Sequence, residues 1–370
     1  MFNNIYRNKR VLVTGHTGFK GSWLCAWLLD LGAEVHGYAL DPQPHETLFN
    51  QLDLSPRLAS DTRADIRDPA AMTRWIVYHQ PDFLFHLAAQ PLVRQSYECP
   101  VDTFATNIMG TAHVLDGLRA LQSAGGSCTT VMVTTDKCYQ NREWLHAYRE
   151  EDPMGGHDPY SASKGAAELV IASYRKSFFS SSSKILLASA RAGNVIGGGD
   201  WAKDRIIPDC IRALRRGEPI PVRNKTATRP WQHVLEPLGG YLWLGAMLST
   251  DLSLTSDLRP LASAFNFGPA LASNKTVGEL VQELIKHTGG TWLDQADPNG
   301  PHEASRLNLA TDKAFHLLEW QPVWSFEETL AATAAWYLSE TSGAPVNELT
   351  LRQIHAYQKA AAARGVRWAL

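Results

Sequence analysis

VLVTGHTGFKGSWLCAWLL, residues 11 to 29, decides the fold. An apolar run ends in a loop with glycines at 15, 18 and 21, and an apolar helical pattern opens directly behind it. The GxxGxxG spacing is looser than the GxGxxG dinucleotide fingerprint, and its strand-to-helix setting is what gives it meaning. Glycines let the backbone turn sharply, approach a pyrophosphate and pack the helix on the sheet, while amide N–H groups and the helix dipole face the anion. The loop residues Gly15, His16, Thr17, Gly18, Phe19, Lys20 and Gly21 are therefore the expected cofactor cradle, with Lys20 a candidate phosphate contact.

Similar runs recur along the chain: EVHGYAL (34–40), FLFHLAA (83–89), TTVMVTT (129–135) and KILLASA (184–190), with helical patterns between them. Short, continuously apolar strands alternating with helices are what a parallel sheet buried on both faces requires. The fold class is α/β, a Rossmann-type doubly wound parallel sheet. After residue 195 the pattern loosens into Gly-, Pro- and charge-rich segments, with helical stretches near 236–250, 276–288 and 326–338. Residues 1–193 are thus assigned to a dinucleotide-binding domain to which 234–262 return, and 194–233 with 263–370 to a smaller mixed α/β substrate-binding lobe.

The second apolar run leads to Asp41, twenty residues after Gly21, where a carboxylate can accept from both ribose hydroxyls and repel a 2′-phosphate. That favours NAD over NADP. Asp65 and Ile66, in RADIRD, are expected after a short third strand, where an adenine would lie.

Ligands of α/β sheets bind beyond the carboxyl ends of the strands, and the 129–135 run ends in Thr135, Asp136 and Lys137. DPYSASK follows some 24 residues on, with Tyr160 and Lys164 four apart on one face of a helix. A lysine ammonium beside a phenol is expected to lower its pKa from about 10, so that the tyrosine can take a proton from an alcohol as hydride leaves for NAD.

Composition excludes other classes. With 370 residues, 44% of them hydrophobic, the chain can bury a sizeable core, and its net charge of −2 leaves no basic footprint for nucleic acid. The start, MFNNIYRNKRVLV, runs into a strand pattern without a signal-peptide block, and GYLWLGAML (240–248) is too short to span a bilayer. A cytoplasmic protein that does not enter membranes is expected. Five scattered cysteines without CxxC spacing indicate neither disulfides nor zinc, and His302 and Glu303 do not form a HExxH pattern, so no metal is expected.

The motifs TGHTGFKG, HLAAQ, TNIMGT, TTDK, YSASK and RAGNVIG, in that order, resemble those of the extended short-chain dehydrogenase/reductase family of nucleotide-sugar enzymes over essentially the whole chain. Within it, the TDK triplet, the GHTGFKG loop and RPWQHVLEPL (229–238) are most similar to the 4,6-dehydratases acting on CDP-glucose. The resemblance implies a tightly held NAD, reduced and reoxidised within each turnover, and a role in deoxysugar synthesis. Tyr160 would deprotonate the 4-hydroxyl, Thr135 would hydrogen-bond that oxygen, and Asp136 would protonate the departing C6 hydroxyl. Lys137 stands where the dTDP-glucose enzymes carry a glutamate as C5 base; it is either a neutral base or a charged stabiliser of the enolate.

Leu87, Ala88 and Ala89 are implied to border the cofactor. Gln90, Arg94 and Ser96 are implied near the sugar, and Asn194, Arg205, Arg223, Arg229 and Asn266 near the nucleotide diphosphate. Helices near 98–122 and 159–179 would pair copies into a homodimer or homotetramer. A 4- or 2-epimerase would use the same Tyr/Lys pair but has no hydroxyl to expel, which leaves Asp136 without a task. A non-catalytic NAD-sensing protein would be expected to lack the tyrosine or the lysine.

Overall fold

The computed structural model describes residues 1–42, 47–179, 183–250, 260–295 and 306–370. Its centre is a seven-stranded sheet built from β1 (Arg10–Thr14), β2 (Glu34–Ala39), β3 (Ser60–Arg63), β4 (Phe83–His86), β5 (Cys128–Thr135), β6 (Ile185–Ala192) and β7 (Ala264–Phe267). The order is β7-β6-β5-β4-β1-β2-β3, and every pairing is parallel. From β1 the chain winds outward through β2 and β3, then returns to β4 on the other side. The order therefore reverses between β1 and β4, and the crevice beyond their carboxyl ends is where such a sheet binds ligands.

Alternation along the strands decides the two cores. Val11 and Val13 of β1 join Phe83, Phe85, Val131 and Val133 in one cluster, while Leu12, Leu84 and Met132 point into the other. Helices α1 (Phe19–Asp30) and α6 (Leu235–Thr250) cover the first face with Trp23, Trp27, Leu242 and Trp243. Helices α2 (Pro69–His79), α3 (Gly110–Ser123) and α4 (Pro159–Ser177) cover the second with Met72, Ile76, Val114, Leu118 and Ile171. The remaining long helices are α5 (Ile206–Arg215), α7 (Val277–Thr288), α8 (Phe326–Thr341) and α9 (Val346–Ala363).

Two placements differ from the expectation. Strand β7, expected in the substrate lobe because it lies beyond residue 263, is the edge strand of the main sheet, with Asn266 opposite Arg191 of β6. The C-terminal segment also packs on the sheet domain, where Trp368 stacks on Phe2 with ring centroids 4.9 Å apart. Both are long-range pairings of short segments, which no local pattern encodes.

Glu236, in the first turn of α6, is fully buried and joins three distant parts of the chain. Its carboxylate accepts from Val323 N at 2.9 Å, Trp324 N at 2.6 Å and the Tyr357 hydroxyl of α9 at 2.8 Å. Burial outweighs these three donors and pushes its pKa up to about 7 from 4.5. The folded state thus keeps a proton that the unfolded chain releases near pH 4.5, and stability falls as pH rises from about 4.5 to about 7, by about 3 kcal/mol in all. Glu236→Gln should flatten that slope in thermal melts taken at pH 5 and pH 8. An unchanged slope would assign it to another group.

Candidate active site

A cleft of about 1620 Å³ runs along the carboxyl ends of the strands and is lined at one end by Gly15, Thr17, Gly18, Phe19, Lys20 and Gly21. Single small-molecule sites commonly enclose about 300–1,000 Å³, so this one has room for two ligands. Gly15 has φ +76° and lies so close to β4 that a Cβ would meet Ala88 N at 2.7 Å. Gly18 caps α1 without a side-chain hydrogen bond, which leaves the first-turn amides to an incoming anion. Asp65, Ile66, Leu87, Ala88 and Ala89 continue the same wall, and Asp41 stands exposed one residue beyond Leu40, which lines the cleft. These residues fit a dinucleotide: a glycine turn and helix N-terminus for the pyrophosphate, with an apolar wall and carboxylates further along.

Two loop residues behave differently from expectation. The His16 side chain is fully buried under the loop, its Nε2 2.8 Å from Asp61 Oδ1 and its ring edge-on to Phe49, so it supports the cradle from behind. Lys20 reaches inward to within 3.3 Å of the Tyr241 hydroxyl of α6. Burial first, then the charge of Arg205, lowers its pKa to about 7, with Asp136 opposing.

At the other end, β5 delivers Thr135 and Asp136, and α4 delivers Tyr160 and Lys164. Helix α4 starts at Pro159 because Asp158 caps it, accepting from Ser161 N at 2.9 Å. Tyr160 is thereby fixed in the first turn, facing the strand end. Asp136 is buried, and its Oδ1 accepts from the Thr135 hydroxyl at 2.9 Å. Its Oδ2 has no hydrogen-bond partner among the described residues, and a Cβ on Gly193 would come within 2.7 Å of that oxygen, so position 193 has no room for a side chain. Burial raises the Asp136 pKa, against the opposing charge of Lys137. Lys137 lines the cleft with Nζ 6.0 Å from the Tyr160 ring centroid.

Tyr160 corrects the expectation that Lys164 lowers its pKa. Burial pushes the phenol up to about 12, with the Thr135 hydroxyl opposing, while burial lowers Lys164 to about 8. Desolvation, which penalises both the phenolate and the ammonium, is the largest influence on each.

The substrate residues divide. Arg94, Asn194, Arg205, Arg223 and Arg229 line the cleft. Arg205 pairs with Asp200 at 3.0 Å, Arg223 with Asp204 and Asp209 at 2.9 Å each, and Arg94 lies 3.6 Å from Asp204. Gln90, Ser96 and Asn266 are absent from the cleft wall. The Gln90 amide is held by Leu92 and Thr103, Ser96 Oγ accepts from Tyr160 N at 3.1 Å, and Asn266 bonds Tyr139, Tyr148 and Ala310 inside the fold. Each is used up in shaping the wall.

Asn107 has an unforeseen part. Lying in a one-turn π-helix at Ala105–Met109, it accepts from Gln90 N at 2.8 Å and donates to Gln90 O and Ser163 Oγ, tying the loop after β4 to α4. Glu143 and His157 also line the cleft. Asn107 lies in the TNIMGT motif, which marks it without giving its partners, whereas no local pattern marks Glu143 or His157. Among the described residues no group of three His, Cys, Asp or Glu is placed to hold a metal, and His302 and Glu303 lie outside the described residues.

Over residues 12–333 the chain matches the family model described as GDP-mannose 4,6 dehydratase, and it belongs to that family. Among its relatives, the CDP-glucose 4,6-dehydratase of Salmonella typhimurium is 45% identical over 363 residues, covering 96% of this chain and 98% of that one. A dTDP-glucose 4,6-dehydratase of Xanthomonas campestris is 26% identical over 354 residues, covering 89% and 93%. In structure, the dTDP-glucose 4,6-dehydratase of Streptomyces venezuelae superposes with a TM-score of 0.74 at 24% identity, covering 90% of this chain and 98% of that one. The UDP-glucose 4-epimerase of Thermotoga maritima superposes at 0.75 with 22% identity, covering 90% and 99%. Both share the fold.

Proposed function

We propose that the protein is an NAD-dependent hydro-lyase that converts CDP-glucose to CDP-4-keto-6-deoxyglucose. The observation that carries this reading is the meeting, in one cleft, of a buried acid at the end of β5 with the Tyr160/Lys164 pair of α4. An epimerase has no departing hydroxyl for that acid to protonate. The choice of cytidine rests on the 45% identity to the Salmonella enzyme.

NAD, when bound, supplies the hydride acceptor for C4, the same hydride for C6, and positive charge within the site. The chain's residues do the proton work. Tyr160 accepts the proton of the 4-hydroxyl while Thr135 hydrogen-bonds that oxygen. The resulting ketone acidifies C5, whose proton is assigned to Lys137. Asp136, whose pKa burial raises, protonates the C6 oxygen as it leaves. Lys164 orients the cofactor ribose and supplies cationic charge, while Asp41 accepts from the other ribose. Arg229, Arg205 and Arg223 take the pyrophosphate, since planar guanidinium forks match its oxygens.

The exposed apolar side chains Val101, Met109 and Leu169, on the segments flanking α3 and on α4, support a homodimer formed through these helices. A nucleotide-sugar substrate supports a cytoplasmic site of action.

CDP-glucose deuterated at C4 tests the reading. The label should reappear at C6 of the product, with no lasting accumulation of NADH. Label lost to water, or an epimer as product, would refute it.

A further inference from the structure

Behind the cleft lies a polar cluster that the proposed chemistry does not use. Glu168 does not line the cleft, yet it stands on α4 one turn beyond Lys164, which is itself one turn beyond Tyr160, so the three share one stripe of the helix. The Glu168 side chain is buried, and both carboxylate oxygens are engaged. Oε1 accepts from the hydroxyl of Thr134, the residue before Thr135 and Asp136. Oε2 accepts from Ser189 Oγ at 2.9 Å and from Arg191 Nη2 at 2.8 Å, both on β6. Arg191, also buried, passes the connection on to the Tyr139 hydroxyl at 2.7 Å and Glu150 O at 2.9 Å.

We propose that Glu168 is the positioning residue of the catalytic pair: its carboxylate is the counter-charge shared by Arg191 and Lys164, and the tie that locks the end of β5 against α4. The inference rests on the reading of Lys164 as the cationic residue that holds the cofactor ribose.

The charge count carries it. Three cations have Glu168 as their common neighbour: Arg191, Lys164 and, two turns further along α4, Arg175. Arginine stays protonated in proteins. Without the carboxylate charge, three like charges would remain in a low-dielectric interior, and the lysine is the one able to release its proton. The other groups facing Lys164 do not replace Glu168: His86 of β4 is kept neutral by burial, Cys138 after β5 stays a thiol, and Lys20 of α1 is a further base. Asp136 is biased toward its neutral acid form. Consistent with this, Glu168 is the largest influence opposing the desolvation of Lys164.

The test measures NAD affinity against pH by tryptophan fluorescence quenching, independently of turnover, for the wild type, Glu168→Gln, Glu168→Asp and the pair Thr134→Val with Ser189→Ala. The wild type should lose affinity on the alkaline side as Lys164 deprotonates. In Glu168→Gln that loss should begin at least one pH unit lower, leaving NAD bound at least about fivefold more weakly than by the wild type at the wild-type midpoint. Glu168→Asp should restore the wild-type profile by keeping the charge. The Thr134/Ser189 variant loses the neutral donors but keeps the charge, so its midpoint should not move. A Glu168→Gln midpoint equal to the wild type overturns the proposal, as does a shifted midpoint in the Thr134/Ser189 variant, which also serves if Glu168→Gln does not fold. A wild type with no alkaline loss at all instead refutes the role given to Lys164.

Discussion

Tyr160→Phe should leave a folded protein that binds NAD and CDP-glucose within a few-fold of the wild type but turns over at least about 10²- to 10⁴-fold more slowly, the usual worth of a positioned proton-transfer group. The phenol is buried, and the substituted ring fills the same space, so no cavity opens and packing gives no reason for a lower melting temperature. Only the hydroxyl between Thr135 and the sugar is lost. Because burial holds the phenol near pKa 12, the chain alone keeps Tyr160 protonated at neutral pH, and proton acceptance must be coupled to the occupied site. Calorimetric binding together with a product assay separates the two effects. A variant retaining more than about a tenth of wild-type turnover would remove Tyr160 from the mechanism.

The second large effect falls on Asp136. Asp136→Asn keeps the shape but removes the acid, so C4 oxidation and exchange of the C5 proton into heavy water should continue while loss of water slows by about 10²- to 10⁴-fold. The pH dependence has a definite sign. A carboxyl whose pKa is raised is protonated, and able to donate, further into the neutral range; elimination by the wild type should therefore decline as pH rises through that pKa. The asparagine variant should show no such decline. Lys137→Ala should differ in one respect: exchange at C5 itself becomes slow. If Asp136→Asn eliminates water at the wild-type rate, or if Lys137→Ala exchanges C5 normally, the corresponding role is wrong.

What could be seen in the sequence was whatever a short segment settles by itself. The glycine loop between β1 and α1 needs its residues for a local turn. The strand end at Thr135 and the i, i+4 spacing of Tyr160 and Lys164 are equally local, and all of them line the cleft. Asn266 and Ser96 sit in motifs just as suggestive, yet they face inward, because their orientation depends on the pairing of β7 with β6 and on where α4 docks. His16 illustrates the same limit within the loop itself: its backbone belongs to the turn, but its ring is claimed by Asp61, 45 residues further on. The direction of the Tyr160 shift is nonlocal in the same way. Spacing gives the sign of a charge interaction, whereas burial, a property of the whole fold, decides whether that interaction wins.

Asp204, bridging Arg94 and Arg223, sets a threshold for what the mouth of the cleft will retain. A ligand reaching those guanidiniums does not meet unpaired cations; it has to displace a carboxylate already in place. A singly charged anion such as chloride or acetate merely exchanges one negative partner for another, with almost no net gain. A diphosphate, carrying more charge and more acceptor oxygens, can satisfy both arginines and still gain. If these arginines take the pyrophosphate, as proposed, the rim discriminates by valence, passing over the monovalent anions of a cell extract and responding to pyrophosphate esters.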